Sequence, residues 1–337
     1  MTHVSKDQAN TQNNDVQFPQ DLSFYFAGEI TPHMGSFLQV SYSQPEDHFG
    51  MDMADVRYAN HGKLGGRDLI YGVTLNNGPG MGDVWNGTPA WTFPYLSSDT
   101  APGPAASPVV DQLMMYGVAG LGGYALWDNH LYANLTLYRT SQLGQDAPTA
   151  SSSNTLDNFA PFWHVGWEQH FGKNYLEVGT YGLHAKVYPQ GISGPTDDYT
   201  DTALHVQYER PFGTHLLTLH AIYTRESQTL NASNAGKDTT LKNFRLNGLF
   251  HWGNRALVGL GYFNTSGDAN PVYGTYNNEP DSSGWIAQAS YLPWEDTKFS
   301  VQYTAYSKFD GASSNYDGMG RSASDNNTLY LNSWFMW

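Results

Sequence analysis

The chain has 337 residues, of which 14% are charged and 15% aromatic, with 35 glycines and a formal net charge of −15. A cytosolic globule carries roughly 25% charged residues, so this balance points away from one. Zero cysteines exclude disulfides, thiolate metal sites and covalent haem attachment within these residues, and 16 Lys and Arg among 31 acids give no clustered basic surface for nucleic acid.

The opening stretch, "MTHVSKDQANTQNNDVQFPQDL", lacks an apolar core and a small-residue cleavage site, so it is not a signal peptide. Residues 1–21 are read as a polar segment, with the export signal removed or lying upstream. From there on, apolar residues recur at every second position, the period of a half-buried strand. Leu38, Val40 and Tyr42 alternate with polar neighbours, as do Leu131, Ala133, Leu135 and Leu137. The same period runs through Trp163, Val165 and Trp167, then Leu204, Val206 and Tyr208, then Leu217, Leu219, Ala221 and Tyr223. It continues in Phe244, Leu246, Gly248, Phe250 and Trp252, and in Phe299, Val301, Tyr303 and Ala305. The uncharged "LMMYGVAGLGGYALW" (113–127) falls short of the ~20 residues of a spanning helix and is rich in glycine, which disfavours a helix interior, so it is read as part of a long strand.

Strands are expected over 22–30, 36–44, 52–60, 67–77, 112–127, 131–140, 159–171, 175–188, 199–210, 215–228, 240–252, 256–266, 283–293, 298–308 and 328–337. Their connectors fall into two alternating classes. "DNH" (128–130), "FGKN" (171–174), "PFGT" (211–214), "GNR" (253–255) and "PWEDT" (293–297) are short, whereas 141–158, 189–198, 230–239, 266–283 and 310–327 are long and polar. A soluble sandwich or propeller also alternates but does not produce two loop classes. The pattern therefore predicts an all-β, transmembrane, antiparallel up-and-down β-barrel over 22–337 in the outer membrane of a Gram-negative bacterium, with short periplasmic turns and long outer loops. Trp163, Trp167, Trp252, Trp285, Trp294, Trp334 and Trp337 lie near strand ends, where an interfacial girdle belongs.

The count is about fifteen, whereas single-chain bacterial barrels have even numbers. Tracing the turn classes back from a periplasmic C-terminus puts one upward strand before residue 22, with "MTHVSK" as its tail. The expectation is a barrel of about sixteen strands whose first is absent from this sequence.

The longest loop, Asn77 to Asp111, is expected to fold into the mouth as a constriction or to dock a partner, through Asp83, Trp85, Trp91, Phe93 and Tyr95. The polar strand face supplies lumen-lining candidates: Glu29, Asp55, Arg57, His164, Glu168, His205, Glu209, His220, Arg245 and His251. Imidazoles and carboxylates on neighbouring strands suit a metal or proton-linked site, yet a water-filled lumen needs the same polar residues. No HExxH, P-loop or GxSxG string occurs, and a barrel hydrolase would need Ser and His together on the lipid face, so no enzyme is expected. The acidic "TDDYTD" (196–201) reads as a solvated turn or as a bridge to lipopolysaccharide through divalent cations. At the C-terminus, Leu329, Leu331, Phe335 and Trp337 share one face, which resembles the assembly signal of outer-membrane barrels.

Four strings carry a wider resemblance: "FYFAGEITPHMGSFLQVSY" (24–42), "DLIYGVTLNNGPGMGDVWNGTPAWTFPY" (68–95), "AGLGGYALW" (119–127) and "GTYGLHAKVYPQG" (179–191). They resemble the barrel part of bacterial outer-membrane porin-cytochrome fusions, a family that includes iron-oxidising members. The resemblance implies an N-terminal c-type cytochrome segment, held through C-x-x-C-H, ahead of a barrel of about sixteen strands. Without cysteine, no haem ligand transfers to this sequence. Haem c is expected only on an upstream segment or a partner cytochrome, and no cofactor in this chain. The barrel is then the sheath of an extracellular electron conduit; the alternative is a diffusion porin for small solutes. Outer-membrane lipid and lipopolysaccharide are the other expected partners.

Overall fold

A computed structural model describes residues 1–8, 13–43, 48–82, 85, 98–113, 117–141, 155–189 and 191–337. Among the described residues seventeen strands form one sheet. In chain order they are β1 (Thr2–Val4), β2 (Asp21–Thr31), β3 (Met34–Ser43), β4 (His48–Leu64), β5 (Arg67–Asn76), β6 (Val118–Trp127), β7 (Leu131–Thr140), β8 (Thr155–Leu156) and β9 (Ala160–Phe171). There follow β10 (Asn174–Tyr188), β11 (Asp197–Phe212), β12 (His215–Leu230), β13 (Lys237–Trp252), β14 (Ala256–Gly267), β15 (Ser282–Trp294), β16 (Thr297–Lys308) and β17 (Thr328–Phe335). Antiparallel ladders run in chain order from β2 to β7, then from β9 to β17, with β7 paired to β9. β8 extends the edge of β9 along β10. Thr2, His3 and Val4 of β1 pair with Tyr330, Leu329 and Thr328 of β17. Among the described residues no helix is long and apolar enough to cross a membrane.

The fifteen expected strands are recovered as β2–β7 and β9–β17; the short β1 and β8 are additional, and there are three further differences. The strand expected over 112–127 is β6 from Val118 onward, because Val109–Leu113 forms a short helix, α1, whose first N–H groups are taken by side chains of β11 and β12. The loop expected over 230–239 shrinks to 231–236, since β12 and β13 stay paired up to Leu230 and Lys237. "TDDYTD" is not a solvated turn: it leads into β11, where Asp197 and Asp201 are buried on the inner face and Asp198 faces out. Asp197 holds the next outer turn together by accepting from Ala232 N at 2.8 Å and Ser233 N at 3.0 Å.

Burial alternates residue by residue and identifies the two faces. On β9, Phe162 and His164 are buried while Trp163, Val165 and Trp167 are exposed; on β11, Ala203 and His205 are buried while Leu204 is exposed. The exposed set forms an apolar outer belt, including Phe24, Phe26, Leu121, Leu135, Leu219 and Leu246. In water such a surface would drive association; against hydrocarbon it is the stable face of a spanning barrel. Trp252 and Trp294 stand exposed at the short-turn ends of β13 and β15, and Trp163 and Trp285 lie toward the long-loop ends of β9 and β15. Trp334 belongs to the inner face, with Lys298 Nζ 4.6 Å from its ring. At the C-terminus Leu331, Phe335 and Trp337 are exposed on the outside with Leu329 half-buried, while Thr328 and Tyr330 are buried inside.

The core lies inside. Val109 and Val110 of α1 pack with Val118, Tyr138, Phe162, Tyr181, Leu183, Ala185, Val187, Tyr199, Ala203 and Leu230 along the inner wall of β6 to β12. On the upper part of β10 the usual polarity is inverted: Leu183, Ala185 and Val187 face in, while His184 and Lys186 face out. A hydrophobic segment covers this wall, so its residues are apolar.

Candidate functional site: the inward-folded segment and the lumen wall

The described residues of the segment between β5 and β6 lie against the inner face of the sheet. After a 3-10 turn at Pro79–Gly82, the segment meets strands that are far apart in the ladder order. Arg57 on β4 donates to Met81 O at 2.9 Å. Trp85 donates its indole N–H to Glu168 Oε2 on β9 at 3.1 Å and packs edge-on against Tyr132 and His164. Ser98 bonds the hydroxyl of Thr2 on β1. Pro102 O accepts from Tyr306 OH on β16 at 3.1 Å, and Ala105 N donates to Asp310 Oδ1 at 3.0 Å. The amides of Val109 and Val110 donate to Glu226 and Asp201 at 2.5 and 2.7 Å. Finally, Asp111 pairs with Arg245 on β13 at 2.9 Å. One segment can touch β1, β4, β9, β11, β12, β13 and β16 only if it lies inside a curled sheet.

Three clusters organise the wall behind it. Asp55 and Arg57 form an ion pair at 2.7 Å, and Thr74 donates to Asp55 at 2.6 Å. Tyr175 OH donates to Glu168 at 2.7 Å and shares it with Trp85. His164 Nε2 lies 2.8 Å from His205 Nε2, whose Nδ1 is 3.2 Å from Glu177; all three side chains are buried, on adjacent strands β9, β10 and β11. Two imidazoles joined nitrogen to nitrogen need one donor and one acceptor, so the contact holds a single proton between them. Among the described residues no group of three or more His, Asp and Glu is arranged to hold a metal ion.

Of the lumen candidates, the fold thus brings together Asp55 with Arg57, His164 with His205, and Glu168 and Arg245 with the inward segment. Glu209 and His220 face in apart from these clusters; Glu209 accepts from Gln207 at 2.7 Å. His251 is half-buried at the short-turn end of β13, and Glu29 is exposed at that end of β2. Asp83, Trp91, Phe93 and Tyr95 lie outside the described residues. Sequence reasoning missed Asp111, Glu177, Asp201 and Glu226. Asp201 shares the parity of His205, and Glu226 that of His220, so extending the alternation upward would have found both. Glu177 gave no signal, since both faces of β10 carry apolar residues.

Burial pushes the Asp111 carboxyl, on the inward segment, up to about 6, with Arg245 opposing the rise. Inward-facing carboxylates outnumber inward-facing cations: Asp52, Asp55, Glu168, Glu177, Asp201, Glu209 and Glu226 stand on the wall with Arg57, Arg245 and Lys298. The inner face of the described wall therefore carries an excess of acidic residues.

No protein-family model matches the chain, and no curated relative matches it. Solved structures match nearly all of it. Salmonella typhi OmpF in complex with daunomycin aligns at TM-score 0.55 and 13% identity over 99% of this chain and 95% of that one. An anion-selective porin from Comamonas acidovorans aligns at TM-score 0.52 and 11% identity, covering 94% and 89%. OmpT, an outer membrane protein of Vibrio cholerae folded in vitro, aligns at TM-score 0.50 and 10% identity, also covering 94% and 89%. At these identities the likeness is one of fold: an antiparallel barrel of the outer-membrane porin type.

Proposed function

We propose that this outer-membrane barrel is a diffusion porin for small hydrophilic solutes, with a preference for cations. The reading is carried by the seven-fold attachment of the inward segment to the inner wall. A structural barrel gains nothing from holding a loop across its own lumen, whereas a pore gains a fixed constriction. The excess of inward carboxylates gives the sign of the preference. The test is planar-bilayer recording of the purified chain: stepwise conductance, with a reversal potential under a KCl gradient on the potassium side. No conductance, or a chloride-side reversal, overturns the reading.

A second reading, the sheath of a porin-cytochrome electron conduit, is favoured by the four strings that resemble that family. The residues of this chain do not fit a haem. It has no cysteine for covalent attachment, and His164 and His205 are committed to each other and to Glu177. No electron-transfer step is therefore assigned to these 337 residues, and the conduit reading requires a cytochrome on an upstream segment or on a partner. Its test is co-purification of a haem-staining protein with the tagged barrel from native membranes, with bilayer conductance rising when that protein is stripped.

A further inference from the structure

The lipid-facing side of β12 and β13 changes character abruptly. Ascending from the short turns, the outward residues are Leu217, Leu219, Ala221 and Tyr223 on β12, opposite Phe250, Gly248, Leu246 and Phe244 on β13. The next outward pair is Arg225 opposite Lys242, both exposed. Like charges directly opposite across an antiparallel ladder repel, with Cβ atoms about 5 Å apart. Neither is matched by a carboxylate among the described residues, unlike Lys186 nearby, which pairs with Asp198 at 3.4 Å.

Their height is informative. Arg225 stands ten residues up β12 from His215, and Lys242 ten up β13 from Trp252. At ~3.3 Å per residue and a tilt of ~45°, that is roughly 23 Å above the short-turn girdle, against an apolar belt of ~25 Å. The pair therefore sits where the outer-leaflet hydrocarbon ends. Directly above it runs a row of hydroxyls, Thr200, Ser227 and Thr240, paired strand to strand.

We propose that Arg225 and Lys242 form a binding site for the phosphate of a phosphorylated glycolipid of the outer leaflet, its acyl chains lying on Leu219, Tyr223, Phe244 and Leu246. A phosphate between the two cations converts their mutual repulsion into two charge-assisted contacts. The hydroxyl row suits the sugar above the phosphate, and the apolar ladder below suits the chains. This site is on the opposite face of the wall from the lumen, so it is independent of the channel reading.

The experiment uses the full chain in detergent, titrated with lipid A bearing its phosphates and followed by native mass spectrometry and thermal melting. The expected result is that R225Q/K242Q binds roughly 25-fold more weakly than wild type, about fivefold per cation removed. R225K/K242R retains wild-type binding, phosphate-free lipid A binds wild type as weakly as the Gln variant, and inorganic phosphate leaves the melt unmoved. Heat-modifiable migration of the Gln variant checks its fold, and the Lys/Arg exchange supplies an independent reading if that variant is not recovered. Equal binding by wild type and R225Q/K242Q overturns the proposal. So does loss of binding in R225K/K242R, equal affinity for the phosphate-free lipid, or a melting shift reproduced by inorganic phosphate.

Discussion

Asp111 Oδ2 lies 2.9 Å from Arg245 Nη2, joining a residue of α1 to a strand 134 positions later in the chain. Both side chains are nearly buried, so the contact is worth most when one partner is lost. Removing one member of a buried pair costs about 3–5 kcal/mol, because the other charge is left without compensation. Arg245→Met is therefore expected to loosen the segment, seen as larger, noisier single-channel currents and a lower melting temperature. Asp111→Asn in the same background should recover part of the loss; a double variant as unstable as the sum of the singles would rule out coupling.

The same carboxyl gives a pH dependence of definite sign. Its folded value, about 6, lies above the ordinary 3.8, so protonation favours the docked state. This contribution is complete below about pH 4 and is lost as pH rises through about 6. The groups facing it are Arg245, Asp201 and Glu226. Conductance recorded from about pH 4 to 7 should be smaller and quieter at the acid end. Asp111→Asn should shrink the step near 6; a profile identical to wild type would count against this assignment.

Gly166 faces the indole of Trp85, and a Cβ added there would meet Trp85 Cζ3 at 2.9 Å. Gly166→Val should displace Trp85 from Glu168 and Tyr175, at about 1–3 kcal/mol of overpacking. Near-ultraviolet circular dichroism and altered conductance would report it. Wild-type spectra and currents in the variant would mean that Trp85 does not help to fix the segment.

Neighbouring positions on one strand test the facing of the wall. Leu219 is outward and His220 inward, four and five residues above the turn and so near the middle of the belt. Leu219→Arg should cost about 2–4 kcal/mol in a lipid-reconstituted denaturant titration, whereas His220→Arg, facing the lumen, should cost far less. Equal costs would reverse or void the facing.

Strand positions were legible in the sequence because a barrel in lipid separates its two faces by polarity, and alternation records that separation directly. Leu204 against His205 is a clear case. The rule fails on β10, where Leu183 and Ala185 face inward and His184 outward, because α1 dries that part of the wall. The helix itself was not legible. Val109–Leu113 is too short to show a period, and it is capped by Asp201 and Glu226, about a hundred residues later. Such a helix is specified by the wall, not by its own sequence.

The apolar packing of α1 also dictates an order of events. The segment that follows β5 finds its partners at Asp201, Glu226, Arg245 and Tyr306, none of which exists as a wall until the strands carrying them have paired. Yet once those strands curl, the interior is enclosed. The segment must therefore be gathered inward while the later strands are still being added, so a single loop makes the insertion of this barrel a concerted process in which early and late parts of the chain wait for each other.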